Sequence, residues 1–431
     1  MPFETAAAPR SIAVIGSGIS GLGAAYALAE THRVVLIEAE SRLGGHARTR
    51  RAGRRGDLTV DTGFIVFNRP NYPNLVRLFE ELDVPTRPSD MSFGASFDEG
   101  RFEFGLADLP TLFAQPRNLF RPSYLRMIRD LLRFNREALA AADEDGLTVG
   151  GLLEKLQLGA WFRDRYLLPI SGAIWSTEKS KILDFPARAM IGFFDNHNLL
   201  QNTGQHQWHT VDGGSVEYVS RLARRLDDRG VEIRLATPVE GVRRTALGVE
   251  VKGKGGEWEM FDEVVFATHS DDSLALLSDA TATEQSNLGA IRYQPNDIVL
   301  HGDPSVMPRR RRAWSSWVYT ETADAPSDRI ELSYWMNSLQ RWLGDENVFV
   351  TLNPNREIDE RLIWDRATLR HPVFDTAALD AQQRVRAMNG ANRTWFCGAW
   401  MANGFHEDGL ASGLAAAEGI AAQDALLRLA G

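Results

Sequence analysis

The chain has 431 residues, 44% of them apolar and 24% charged, which is room for two or three domains around a sizeable soluble core. Its net charge of −9 argues against a general nucleic-acid binder, and its single thiol, Cys397, excludes intrachain disulfides and cysteine metal centres. No apolar run of roughly 18 residues is present and Met1–Arg10 lacks the pattern of a secretory signal, so a cytoplasmic protein is expected.

In chain order the first predicted element is a short buried strand, "SIAVI" (Ser11–Ile15), running into Gly16, Gly18 and Gly21. A helix follows, opened by Ile19 and Ser20, with Leu22, Ala25, Tyr26 and Ala29 at helical spacing; the next strand is "RVVLIEAE", Arg33–Glu40. Gly16 permits the tight turn, Gly18 lets the backbone approach a pyrophosphate, and Gly21 allows helix to pack on strand, with the helix N-terminus facing negative charge. Glu38 stands where an acid binds a ribose hydroxyl. Such a unit holds FAD or NAD.

The next stretch, "EAESRLGGHARTR" (Glu38–Arg50), resembles the E-x-x-x-R-x-G-G-R-x-x-T signature of the flavin amine oxidase and phytoene desaturase superfamily. Arg42, Gly44, Gly45 and Thr49 match, while His46 replaces the last motif arginine. The resemblance implies FAD, bound without a covalent link, with Glu38, Ala39, Arg42, Gly44, Gly45 and His46 beside it. Later segments resemble the family in order: "VDTGFIVF" from Val60, "VDGGSVEYVSRLARRL" from Val211, "VEIRLATPVEGVRR" from Val231, "DEVVFATHS" from Asp262, and "TWFCGAW" with "GFHEDGLASGLAAAEGIA" at the end. By that resemblance Val239 meets the adenine end, and Gly398, Gly409 and Leu410 adjoin the cofactor. Where the amine oxidases carry Gly-Glu, this chain has Gly398-Ala399. The implied fold class is α/β: a Rossmann-like, glutathione-reductase-like FAD-binding domain with an interleaved α+β substrate domain. The first takes residues 1–70, 205–270 and 390–431, and the second 71–204 and 271–389.

Within the substrate domain, "RPSYLRMIRDLLRFNREALAAA" predicts a long helix with Leu125, Ile128, Leu131 or Leu132, and the stretch to Leu139 near one face, arginines interleaved. From Ile291 to Leu352 strand-like runs separated by turn residues predict an antiparallel meander. Three polar stretches are candidates for chemistry: Gly172–Ala187 with Trp175, Phe193–Gly214 with His197, His206, Trp208 and His209, and Cys397–Leu410 with Trp400, His406, Glu407 and Asp408. The closing helix is expected to begin near Gly409, with Asp408 as its cap and its N-terminus toward the flavin. His406 is therefore the leading candidate for a base, an imidazole titrating near neutral pH, with Glu407 and His209 as alternatives. The histidine spacings carry no metal-site pattern, and no metal is expected.

Amine oxidases of the superfamily commonly place a lysine near the flavin, but no lysine follows Lys254 and no aromatic cage for an amine is evident. "GFHEDGL", "WSSWVY" and "DNHNLL" resemble a bacterial subgroup of FAD-binding proteins associated with cyclopropane-fatty-acid-synthase-type methyltransferases. That resemblance implies desaturation of a lipid-like substrate, a methyl-branched unsaturated acyl chain of a phospholipid on the way to furan fatty acids, with a methyltransferase as partner. Amine oxidation and a non-catalytic sensor or accessory role are the alternatives. "MPRRRRAW" (Met307–Trp314) and the basic, apolar-studded stretch Arg117–Arg136 add an expectation of peripheral contact with the inner face of the membrane.

Overall fold

The computed structural model describes residues 9–175, 178–201, 204–322 and 328–430. Residues 1–8 and 431 of the expected FAD-binding segments, and Ser176, Thr177, Asn202 and Thr203 of the polar stretches, lie outside the described residues.

In chain order, the elements that position the site begin with β1 (Ser11–Ile15), α1 (Ile19–Leu28), β2 (Arg33–Ile37) and α2 (Pro73–Glu81). The next are β3 (Phe93–Phe97), β4 (Phe102–Gly105), α3 (Pro122–Ala141), β5 (Trp208–Val211), α4 (Val216–Asp228), β6 (Glu232–Arg234), β7 (Val239–Arg244) and β8 (Glu263–Phe266). β9 (Arg292–His301), β10 (Trp317–Glu321), β11 (Glu331–Trp335), β12 (Phe349–Leu352), β13 (Ile363–Val373), β14 (Thr394–Phe396) and α5 (His406–Ala430) complete the set.

The first sheet runs β6-β2-β1-β8-β14, and every pairing in it is parallel. Both of its faces are covered, so its strands read as continuous apolar runs rather than alternating ones. Ile12 and Val14 of β1 pack with α1, α4 and α5, while Ala13 and Ile15 pack on the other side with the 239–261 meander; all four are at most 4% exposed. The last long helix closes on the first. A Cβ at Gly413 would sit 2.1 Å from the Ser20 carbonyl oxygen, and one at Gly23 would sit 2.5 Å from Leu410 Cδ1, so glycines set how closely α1 and α5 cross.

The second sheet runs β13-β9-β12-β11-β10-β3-β4, antiparallel except where β10 pairs with β3. The expected meander holds for β10-β11-β12, but β9 pairs with β12 and β13 rather than with β10. β13 was hidden in the sequence by Asp365, Arg366 and Arg370, charges suited to an edge strand. Helix α3 also differs from its expectation. Tyr124, Met127, Asp130, Phe134 and Ala138 form its buried face, and Leu125, Leu132 and Leu139 face outward at 44%, 48% and 49% exposure.

Candidate functional site

The turn after β1 is tight and rich in glycine. Gly16 has φ +98°, and a Cβ there would lie 2.8 Å from the Ala267 carbonyl oxygen; one at Gly21 would lie 1.9 Å from that of Gly16. Gly18 is different in kind: its φ is −63°, and a Cβ there would meet nothing within 4 Å. No side chain caps α1, so the first-turn amides of Ile19, Ser20 and Gly21 are left for a ligand. Glu38 is fixed beside the turn, accepting from Ser17 N at 2.8 Å, Ser17 Oγ at 2.6 Å and Glu40 N at 2.8 Å. The second glycine motif is tied on by Gly44 N donating to Ser17 O at 2.9 Å, and a Cβ at Gly45 would come 3.0 Å from Gly18 Cα. The open space at Gly18 and the uncapped helix fit a dinucleotide pyrophosphate.

The residues around the turn differ in what they touch. Ala39 is exposed next to Glu38, and Val239 opens β7 beside it, drawn in by Thr237 N donating to Glu38 O at 2.8 Å. Arg42 serves its own loop: its guanidinium donates to Gly45 O at 2.8 Å and Ala47 O at 3.2 Å and pairs with Glu40 at 2.9 Å. The side chains of Ile19 and Ser20 are buried under α5, leaving only their amides toward the turn. Gly409 packs against Ile19 and Ser20, and Leu410, 1% exposed, against Gly23, so what they can turn toward a cofactor is backbone. The Gly398 amide donates to Ser412 Oγ at 2.9 Å, and the Trp400 indole leaves no room for a side chain there.

A second cluster went unnoticed in the sequence. His46, from the glycine motif, lies 5.8 Å from the ring of His269 and 5.7 Å from that of His371. His269 follows β8 and stacks on Tyr293 at 4.3 Å; His371 lies on β13, with Nδ1 accepting from Asn296 Nδ2 at 2.8 Å. Both amide atoms of the buried Gln294, opposite His371 on β9, and His46 Nε2 lack a protein partner. These rings are half-buried yet strongly desolvated. Desolvation by burial pushes His269 and His371 down to about 3, and it lowers His46 with help from the nearby Arg42 and Arg370 guanidiniums. A signal for His269 was present in the sequence, since the C-terminal ends of parallel strands are where ligands bind. His269, Asp271 and Asp272 come close enough to share a cation, but Arg370 already pairs with both carboxylates.

The three residues expected to carry the chemistry sit in different surroundings. Glu407 is corrected: its carboxylate accepts from Asn74 N, Asn74 Nδ2 and Leu75 N at 3.0, 2.7 and 3.0 Å, capping α2 from outside, so both oxygens are committed. His406 is corrected in its chemistry. It stacks on Phe64 at 3.9 Å, shares a 2.6 Å hydrogen bond with the Tyr218 hydroxyl, and is pushed down to about 3 by burial, too low for a base near neutral pH. His209, on β5, is tilted over Phe67 with its Nδ1 unpartnered and is not joined to the other three. The closing helix begins at His406 rather than Gly409; Asp408 lies in its first turn and reaches back to Phe405 N and Asn403 N at 2.9 and 3.1 Å.

These depressed histidines set the acid response. His269, His371 and His406 at about 3, with His301 at about 4, stay unprotonated in the folded chain while the unfolded chain takes up protons below the ordinary 6.5. Their stabilisation is complete above pH 6.5 and is lost as pH falls toward 3; Asp408, raised to about 6 by burial, opposes it weakly. Denaturant melts of flavin-free protein at pH 7.5 and pH 5 are expected to show lower stability at pH 5, with about four protons taken up on unfolding by this group. A stability independent of pH would contradict these assignments.

Comparison with known proteins agrees with this geometry. Residues 19–304 match the family described as flavin containing amine oxidoreductase. The all-trans-zeta-carotene desaturase of Myxococcus xanthus is 25% identical over 303 residues, 65% of this chain and 56% of that protein. The matched stretches span from 10% to 59% of the length of such curated relatives. Among solved structures, putrescine oxidase bound to putrescine superposes with a TM-score of 0.70 at 16% identity, covering 96% of this chain and 99% of that one. A fatty acid isomerase from P. acnes that produces CLA superposes at 0.67 with 14% identity, over 95% and 98%. These two likenesses establish the shared fold.

Proposed function

Because the chain belongs to the flavin-containing amine oxidoreductase family and is an FAD-dependent oxidoreductase, we propose that it desaturates a lipid-like substrate. The reading favours a methyl-branched unsaturated acyl chain of a phospholipid, with a methyltransferase acting on unsaturated acyl chains as its supplier. Bound FAD supplies two-electron acceptance, taking hydride at N5. The Gly16–Gly21 turn and the amides of α1 would hold the pyrophosphate, Glu38 a ribose hydroxyl, and Gly44-Gly45 would let the backbone come close. We take the attachment as noncovalent; a cysteinyl link is opposed by the burial of Cys397, whose thiol is pushed up to about 12.

The observation that carries the substrate class is the neutrality of the histidine cluster. Surroundings that hold His269 and His371 unprotonated disfavour an added cation such as an ammonium substrate, because the one guanidinium beside them, Arg370, is already held by Asp271 and Asp272. Neutral imidazoles beside Asn296 and Gln294 offer hydrogen bonds without charge, which suits the ester end or unsaturated segment of a lipid. Among the described residues of the second sheet there is no lysine.

Anaerobic mixing tests this directly. Phospholipid carrying methyl-branched unsaturated chains is expected to bleach the flavin absorbance, and putrescine and simple primary amines are expected to leave it unchanged. Bleaching by an amine and not by the lipid would replace this reading with amine oxidation, the chemistry of the putrescine oxidase that shares the fold. Bleaching by neither would favour a non-catalytic flavoprotein.

A further inference from the structure

We propose that the face built from residues 100–139 and 309–312 docks the protein on an anionic lipid bilayer, with an arginine-lined hollow seating a phosphate headgroup. Three independent features meet there.

The first is misplaced apolar surface. Twelve large apolar side chains are exposed among the described residues, and six of them fall between Leu109 and Leu139. Phe120 is 86% exposed in the turn before α3, next to Leu119 at 48%, and Leu109 earlier in the same stretch is 71% exposed. An aromatic side chain left that bare in water is stabilised by insertion at a headgroup boundary.

The second is the outward stripe of α3. Leu125, Arg129, Leu132, Arg136 and Leu139 follow at intervals of four, three, four and three residues, which keeps them on one helix face. Apolar and basic residues therefore alternate along a 20-residue helix, about 30 Å long, whose opposite face is buried. Leucines directed into acyl chains describe an interfacial helix lying flat, with Arg129 and Arg136, which pair on the helix itself with Asp130 at 3.5 Å and Glu137 at 2.5 Å, at headgroup level. No helix among the described residues is long and apolar enough to cross a membrane, so this contact is made from one side.

The third is charge without compensation. A hollow of about 480 Å³ beside the Phe120 turn is lined by Arg101, Arg117, Arg309 and Arg310, with Gln115 and Gly100. Among the described residues, Arg309 is the one of these arginines with an ion pair, to Glu99 at 3.9 Å, and Arg126 and Arg312 nearby in sequence have none there either. Beneath the hollow the fully buried Glu103 accepts from the backbone amides of Arg309 and Arg310 at 2.7 and 3.0 Å, fixing that segment. On a chain of net charge −9 such an array is complementary to a negative surface, worth a few-fold in affinity for each arginine.

Vesicle co-sedimentation of the FAD-loaded protein tests the proposal without turnover, so it stands or falls separately from the substrate reading. Wild type is expected to bind vesicles of phosphatidylcholine mixed with phosphatidylglycerol, and to bind phosphatidylcholine alone at least about tenfold more weakly. Phe120→Glu, and separately Arg117→Glu with Arg310→Glu, should each reduce binding to the mixed vesicles about tenfold, with flavin content and melting midpoint unchanged. Equal binding to both vesicle types, or wild-type binding by both variants, would overturn it. So would a wild-type dimer in sedimentation velocity that Phe120→Glu dissociates, because a second copy would then cover the face.

Discussion

Gly18→Val is expected to give a folded chain that holds no FAD. The backbone at Gly18 is in a region any residue adopts, and its Cβ direction is empty, so the flavin-free protein should melt close to wild type. The valine would instead fill the space that the pyrophosphate needs. Gly21→Val is the contrasting control: its Cβ would overlap the Gly16 carbonyl oxygen at 1.9 Å, so that variant should fail to fold whether or not FAD is supplied. Flavin released by denaturing each purified protein reads both outcomes, and wild-type yellow colour in Gly18→Val would remove the phosphate cradle from its assigned place.

His406→Ala should cost stability rather than chemistry. Removing the imidazole strands the hydroxyl of the fully buried Tyr218, a loss of roughly 1–3 kcal/mol, and leaves a void beside Phe64 that adds to it. A total of about 3 kcal/mol is expected in denaturant melts, with flavin reduction per bound FAD within a few-fold of wild type. The reverse pattern, unchanged stability with a ~10²-fold slower reduction, would restore His406 as a base.

The parts of the molecule that follow from local pattern were legible in the sequence. The β1-turn-α1-β2 unit depends on residues within a span of about thirty, and the glycine spacing specifies its geometry. What was not legible depends on long-range pairing. Glu407 looked like an active-site acid because its neighbours in sequence are polar, yet its partners are Asn74 and Leu75 on α2. His269 and His371 meet His46 only because β8 and β13 deliver them from different sheets, and nothing in either local pattern announces the meeting. The α3 stripe was legible but its division between core and solvent was not: Ile128 and Leu131 pack on the core while Leu125, Leu132 and Leu139 face outward. Leucine at helical spacing ordinarily marks the core, and here Tyr124, Met127 and Phe134 fill that role one position away.

The crossing of α1 and α5 ties an early event to a late one. Ser20 leaves the ribosome long before Gly413, and at roughly 5–20 residues per second the interval is on the order of 20–80 s. During that time the nascent first strand and helix present an apolar flank that its eventual cover cannot yet reach. β14, the edge of the parallel sheet, arrives equally late. The phosphate-binding turn is thus specified first and stabilised last, and any cofactor captured co-translationally would be held by a half-walled domain. Newly made protein should therefore gain its flavin only after synthesis has passed α5, and chains stalled before residue 413 should be targets for chaperones and proteases rather than partly loaded enzyme.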